Sequence, residues 1–238
     1  MKLSVVIPAY NEERYLPETL ALITNALSVS GCQSEIVVVD NDSHDQTRTI
    51  AESNGASVVR EAEHNISRVR NTGAKHATGD VLIFIDADTH VPEALFQRIA
   101  NTMQDEKCFG GAVSVKWGRL ERTWMKLYLL GGQFWTTVFN MKQGAAQFCR
   151  KSVFEKLGGY DSTIFMGEDV EFYWRLSKFA KGKGGRLDFI EDLHVTTSTR
   201  RFDKMSLGKT FLLTNPMFIP FAWRQKGWWK DWYEDAVR

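Results

Sequence analysis

Asp86 and Asp88 stand two positions apart at the end of the apolar run Val81-Leu82-Ile83-Phe84-Ile85. Two neighbouring carboxylates repel each other unless a cation lies between them. Hard divalent ions take such oxygen ligands, and Mg²⁺ is usually shared with substrate phosphates. The pair therefore points to a metal-bound phosphate or pyrophosphate. A strand ending in a solvated acidic turn would carry the same letters. A second apolar run, Ile36 to Val39, ends in Asp40, whose carboxylate can accept hydrogen bonds from a base or ribose. Arg70, just upstream of the Asp86 run, can bring positive charge to phosphates or sit on a solvated helix face. Further along, Gly167-Glu168-Asp169 precedes Val170-Glu171-Phe172. The helix dipole favours carboxylates at a helix start. One placed beside an acceptor hydroxyl can also act as a general base.

These groups need a scaffold. Uninterrupted apolar runs read as strands buried on both faces of a parallel sheet, and such sheets bind ligands at their C-terminal ends. Leu3-Ser4-Val5-Val6-Ile7 forms a first strand, followed by the turn Pro8 to Glu13. Leu16, Leu20, Ile23 and Leu27 recur at spacings of three and four, a helix. After the Asp40 strand, Asn41-Asp42-Ser43 offers cap chemistry for a helix over 45–54. A third strand at 56–60, a helix at 66–77, the Asp86 strand and a helix opened by Pro92 and ending near Gln104 complete a β-α repeat. This order predicts an α/β fold with a mostly parallel, doubly wound sheet and helices on both faces. Beyond Val115 the pattern loosens. Residues 119–141 read as one or two helices with a bulky apolar face, 143–150 as a strand, 151–157 as a short helix, and Glu168 opens another. Lys181 to Gly185 reads as a flexible connector. The division expected is 1–115, 116–198 and a tail at 199–238.

Bulk composition excludes several classes. The 238 residues are 43% hydrophobic and 25% charged, ordinary for a globular chain, and the net charge of +1 argues against a nucleic-acid partner. Three scattered cysteines, Cys32, Cys108 and Cys149, suggest reduced thiols and a cytoplasmic setting. No leader pattern precedes the first strand. The uncharged stretch Leu127 to Met141 has 15 residues and contains Gly131-Gly132, short of the roughly 20 a membrane span needs.

Taken in order, Val5-Val6-Ile7-Pro8-Ala9-Tyr10-Asn11-Glu12, Ile36 to Ser43, Asn71-Thr72-Gly73-Ala74 with Thr78-Gly79-Asp80, Asp86-Ala87-Asp88 and Gly167-Glu168-Asp169 resemble the family 2 glycosyltransferases. The resemblance covers about Lys2 to Ser198. It implies the GT-A fold, a nucleotide-sugar donor (a UDP-sugar ahead of a GDP-sugar), Mn²⁺ or Mg²⁺, and inversion at the anomeric carbon. Carried over by motif, Pro8, Ala9, Tyr10 and Glu12 line the nucleoside pocket and Asp40 contacts the base. Asp86 and Ala87 lie by the ribose and metal, and Asp88 ligates the metal. Asp169 is the base, with Glu168 beside it on the acceptor. His194 stands where some relatives supply a further metal or phosphate contact, though a core or surface histidine fits there too. Arg200 and Arg201 form a basic pair that can hold the departing diphosphate or make a solvated turn.

Departures refine the picture. Processive synthases carry Gln-x-x-Arg-Trp and membrane helices; here the order is Trp223-Arg224-Gln225, which favours a non-processive enzyme. A Glu-Asp pair favours a hydroxyl acceptor, on a glycan or lipid-linked. A polyprenyl phosphate, already ionised, needs no strong base and is the alternative. A donor-binding or scaffold protein without turnover is another. The tail from Val195 holds eight Lys/Arg and four Asp/Glu among bulky aromatics. It suits either a peripheral membrane contact or packing over the acceptor half. A dehydrogenase would need Gly-x-Gly-x-x-Gly after the first strand, which is absent. In an aspartyl phosphatase, Thr or Val would take the place of His90.

Overall fold

The computed structural model describes residues 1–118, 145–200, 223–225 and 227. The helical face expected over 119–141, the Arg201 half of the basic pair and most of the tail lie outside them. Within the described residues the strands are β1 (Leu3–Ala9), β2 (Ser34–Asp40), β3 (Ser57–Arg60), β4 (Val81–Ile85), β5 (Thr89–His90), β6 (Cys108–Trp117), β7 (Ala146–Arg150) and β8 (Arg186–Thr197). The helices are α1 (Leu16–Ser30), α2 (Thr47–Ser53), α3 (Ile66–His76), α4 (Leu95–Met103), α5 (Lys151–Lys156) and α6 (Glu168–Gly182).

One sheet carries all eight strands in the order β3-β2-β1-β4-β7-β6-β8-β5. β1 pairs in parallel with β2 (Ala9 opposite Asp40) and with β4 (Leu3 opposite Val81). The C-terminal ends of these strands therefore share one edge. β7 runs against both β4 and β6, whereas β6 and β8 are parallel to each other. β6 and β8 thus point the same way as β4, and β8 also ends at that edge. The sheet is predominantly parallel as expected, with β7 and the two-residue β5 running the other way.

Side chains alternate between two cores, as the period of two in a strand requires. Leu3, Val5 and Ile7 of β1 and Val81, Ile83 and Ile85 of β4 enter one cluster with α1 and α4. Val6, Leu82 and Phe84 enter the other with Val69, Phe154, Phe172 and Leu176. α3 comes closest to the sheet at Gly73. A Cβ there would lie 2.7 Å from Val39 Cγ2 and nearer still to Val6 Cγ1. The glycine of the Asn71-Thr72-Gly73-Ala74 motif is therefore a packing requirement.

Three expectations need correction. Asn41-Asp42-Ser43 does not cap α2; the helix begins at Thr47, and Asp45 Oδ1 takes the Thr47 N–H at 2.9 Å. The helix opened by Pro92 starts three residues later, at Leu95, after a turn closed by Leu95 N–H donating to Pro92 O. The glycine-rich connector is partly helical, because α6 extends through Gly182.

The close seat of Gly73 yields a test. Gly73→Ala should lower the unfolding free energy by about 1–3 kcal/mol, the usual cost of overpacking. Val6→Ala added to it should recover part of the loss. Urea midpoints of the three proteins decide; an unshifted midpoint in Gly73→Ala would refute the close contact.

Candidate active site

The edge begins with two interlocked turns. Asn11 (φ 53°) and Asp42 (φ 66°) adopt the left-handed conformation after β1 and β2, which Asn and Asp tolerate better than most residues. Asn11 N–H donates to Ser43 Oγ at 3.0 Å, and Asn11 Oδ1 accepts the His44 N–H at 2.9 Å. Glu12 N–H donates to Thr47 Oγ1 at 2.7 Å. Asp40, at the end of β2, accepts the Ser43 N–H at 3.0 Å through Oδ1. Asn41 Nδ2 donates to the carbonyls of Glu61 (2.6 Å) and Glu63 (3.0 Å). Its Oδ1 therefore faces His64 Nδ1, 3.3 Å away, which must carry the ring proton. The His64 ring meets Tyr10 edge to face at 4.6 Å. Pro8, Ala9, Tyr10, Glu12 and Asp40 thus lie at one edge, as the motif order implies.

Beneath this edge lies Arg70, on α3. Its side chain is 4% exposed; Nη2 donates to Asp86 Oδ1 at 2.8 Å and Nη1 to Glu168 Oε1. The Tyr160 ring lies 5.5 Å from the guanidinium. Burial opposes the charge on Arg70, but Asp86 and Glu168 outweigh it and raise its pKa. Glu168 moves the other way for an ion-paired acid. Burial is the largest cause, Asp169 and Asp86 add to it, and the pull of Arg70 falls short, so its pKa rises to about 7. One guanidinium cannot balance several carboxylates, and the most deeply buried acid is pushed toward its neutral form. Nη1 and Nη2 of Arg70 thus both face carboxylates, and Glu168 turns into the protein toward Arg70.

Asp88 and Glu12 form a second cluster, brought together from the turns after β4 and β1. Asp88 Oδ1 lies 3.3 Å from Thr197 Oγ1, at the end of β8, and Asp88 Oδ2 is ion-paired with Arg200 Nε at 3.2 Å. Arg200 Nη2 also donates to Glu12 Oε1, and the guanidinium lies 4.5 Å from the Tyr15 ring centre. Burial works against the Arg200 charge and the two carboxylates more than offset it, so its pKa is raised. His194 is not gathered here. It lies three positions before Thr197 on β8, so it faces the opposite side of the strand. Among the described residues no three His, Cys, Asp or Glu side chains converge as a metal cluster. Hard carboxylate oxygens from Asp86 and Asp88 still suit Mn²⁺ or Mg²⁺.

The Glu168-Asp169 pair opens α6 after Gly167, whose φ of 80° suits glycine. Asp169 Oδ1 accepts the Val170 N–H at 2.8 Å, and Asp169 O accepts from Gln147 Nε2 at 3.1 Å. The described tail residues pack over the preceding loop. Phe165 N–H donates to Trp223 O at 2.7 Å, and Arg224 Nη2 to Asp161 Oδ2 at 2.9 Å. Sequence reasoning missed Gln147, Thr197, Tyr15 and His64. Gln147 and Thr197 reach the site only because β7 and β8 take those places in the sheet, for which no local pattern existed. Tyr15 and His64 flank recognised motifs and had a weak aromatic signal.

A family model described as glycosyl transferase family 2 matches residues 4–158. The chain is 38% identical over 127 residues to a dolichol-phosphate mannosyltransferase of Pyrococcus furiosus, covering 51% of this chain and 36% of that protein. It therefore spans about a third of that relative. Among solved structures, Staphylococcus aureus TarS 1-349 in complex with UDP superposes with a TM-score of 0.64 at 22% identity, covering 90% of this chain and 66% of that one. The mannosyltransferase PcManGT from Pyrobaculum calidifontis, in complex with GDP-Man and Mn²⁺, gives 0.60 at 22% identity, covering 82% and 56%. These structures share the GT-A fold.

The buried acid at the start of α6 gives a pH signature. Glu168 has a folded-state pKa above its unfolded value, so the folded protein holds the proton more tightly. That contribution is complete below the ordinary value of 4.5 and is lost as the pH rises through about 7. Glu168→Gln, which cannot ionise, should flatten the pH dependence of unfolding free energy between about pH 5 and 8. Urea unfolding across that window checks it; parallel curves for variant and wild type would contradict the burial assignment.

Proposed function

The chain belongs to glycosyl transferase family 2, and from that premise we propose that it moves one sugar from a nucleoside-diphosphate sugar to an acceptor hydroxyl, with inversion and without processivity. The observation that carries this reading is the Arg70 bridge, which ties strand-end Asp86 to Glu168, next to Asp169. Donor-side carboxylates and a candidate base thereby meet at one sheet edge.

Tyr10, His64 and Asp40 border the place for the nucleoside, with Asp40 accepting from the base. Asp86 and Asp88 would hold a divalent cation, which supplies stabilisation of the negative charge on the departing diphosphate. Asp169 takes the proton from the attacking hydroxyl oxygen as that oxygen bonds to the anomeric carbon. The nucleoside diphosphate leaves from the opposite face, so a single displacement inverts the centre through an oxocarbenium-like transition state. Glu168, held by Arg70, fixes the first turn of α6 and with it the place of Asp169. PcManGT binds Mn²⁺ and GDP-Man, and TarS binds UDP; both support a nucleoside-diphosphate donor, the first also supports metal assistance, and uracil and guanine are the bases to compare.

A second reading has its own support. The Pyrococcus relative is named for transfer to dolichol phosphate, and other relatives for undecaprenyl-phosphate substrates. A phosphate acceptor arrives ionised and needs no base. The aromatic and basic tail would then suit a lipid surface, although no helix among the described residues is long and apolar enough to cross a membrane.

Asp169→Asn separates the two readings. With a hydroxyl acceptor, kcat should fall on the order of 10²–10⁴ while donor binding is kept; with a polyprenyl phosphate acceptor, kcat should hardly change. Calorimetric titration of UDP- and GDP-sugars with and without Mn²⁺, on wild type and Asp88→Ala, tests the donor site. Metal-dependent binding of one donor, lost in Asp88→Ala, is expected. Failure to bind any donor would favour a scaffold protein.

A further inference from the structure

Glu12 and Asp88 reach the same point from two different turns, and both are nearly buried. Carboxylates placed so need a counter-charge. Arg200 supplies it, with Nη2 on Glu12, Nε 3.2 Å from Asp88 Oδ2 and the guanidinium over the Tyr15 ring. The pairing of Thr197 with Thr89 delivers the end of β8 to this spot, three residues before Arg200. Thr197 Oγ1 meets the other oxygen of Asp88 at 3.3 Å. Both oxygens of Asp88 therefore have protein partners.

Asp88 is also the carboxylate to which the proposed function assigns a divalent cation, and the present inference rests on that reading. A divalent ion on Asp88 would meet a full positive charge already seated on the same carboxylate. Like charges at such a distance oppose each other strongly in a partly buried site. Arg200 must leave Asp88 for the ion to enter; Glu12 still holds Nη2, but the Nε side that faced Asp88 then needs a new acceptor. A nucleoside diphosphate entering with the metal is such an acceptor, and guanidinium groups bind phosphate oxygens well.

We propose that Arg200 is a stand-in cation that makes the site selective for metal and nucleoside diphosphate together over metal alone. It holds Glu12 and Asp88 before the donor arrives and passes to the diphosphate when the metal takes Asp88. It is a positioning residue with no part in the chemical step.

The test is Mn²⁺ binding, read by electron paramagnetic resonance or calorimetry, without nucleotide and with saturating UDP or GDP. Wild type should bind Mn²⁺ alone weakly and at least tenfold more tightly with one of the two nucleotides. Arg200→Gln, which cannot carry charge, should bind Mn²⁺ alone about tenfold more tightly than wild type and gain less from nucleotide. Arg200→Lys keeps the charge and should stay near wild type. Asp88→Asn added to Arg200→Gln should abolish the gain. The wild-type comparison needs no variant to fold, and circular dichroism checks the variants. Equal Mn²⁺ affinity with and without nucleotide in wild type, or an Arg200→Gln affinity no tighter than wild type, would overturn the role of Arg200 and leave a metal-dependent transferase standing. Absence of Mn²⁺ binding in every protein, with donor bound metal-free, would overturn the metal reading itself and this inference with it.

Discussion

A single buried guanidinium sets the terms for this protein. Arg70 lies inside the second core, below the sheet edge, between Asp86 at the end of β4 and Glu168 at the start of α6. Removing one member of such a group leaves an uncompensated charge in apolar surroundings, commonly a loss of about 3–5 kcal/mol. Replacing the whole group by hydrocarbon is often neutral, so stability alone does not explain its presence. What the ion pairs add is geometry. They fix how far α6 stands from the Asp86 turn, through an arginine 98 positions from Glu168 in sequence. α3 can hold Arg70 there because Gly73, one turn further on, lets the helix lie flush against β1 and β2.

The direction of the strands explains why the charges collect where they do. β1, β2, β4 and β8 all end at one edge, so turns with no sequence proximity deliver Glu12, Asp40, Asp88 and Arg200 to it. β7, running the other way, enters the sheet at that edge and brings Gln147 under α6. Opposing charge is thus a consequence of topology. Acidic residues on successive turns must meet, and arginines from α3 and the end of β8 balance them.

Much of this was legible in the chain. The parallel half announces itself because strands buried on both faces need unbroken apolar runs, and β1, β2 and β4 have them. The acidic residues that end these runs were legible for the same reason. β6 and β8 were not. β6 contains Gly110-Gly111, and β8 interrupts its apolar residues with Glu191-Asp192, where the register skips from Ile190 to His194. A bulge of that kind breaks the alternation on which strand recognition depends. Once β8 was missed, the meeting of Thr197 and Arg200 with Asp88 could not be foreseen, and His194 looked as close to the metal motif as its neighbours. Partner choice was hidden as well. The sequence shows that Arg70 and Glu168 are chargeable, but only burial shows that each requires the other.

The two arginines differ in depth, and the difference bears on their roles. Arg70 projects from the middle of a helix into the core, with its side chain 4% exposed, and its way out is blocked by Tyr160 and the aromatic cluster around it. It cannot exchange partners without opening that core. Arg200 follows the end of an edge-reaching strand, with its side chain 15% exposed, and rests on an aromatic face without being enclosed. One of its carboxylate partners, Asp88, is also the residue to which we assign the metal. A site that binds a highly charged substrate needs both kinds of counter-charge. One must stay, because the acid it balances orders the start of α6. The other must be able to move, because a carboxylate permanently neutralised by protein cannot receive a cation from outside. Placing the first on a helix in the core and the second at the end of a strand meets both needs within one sheet.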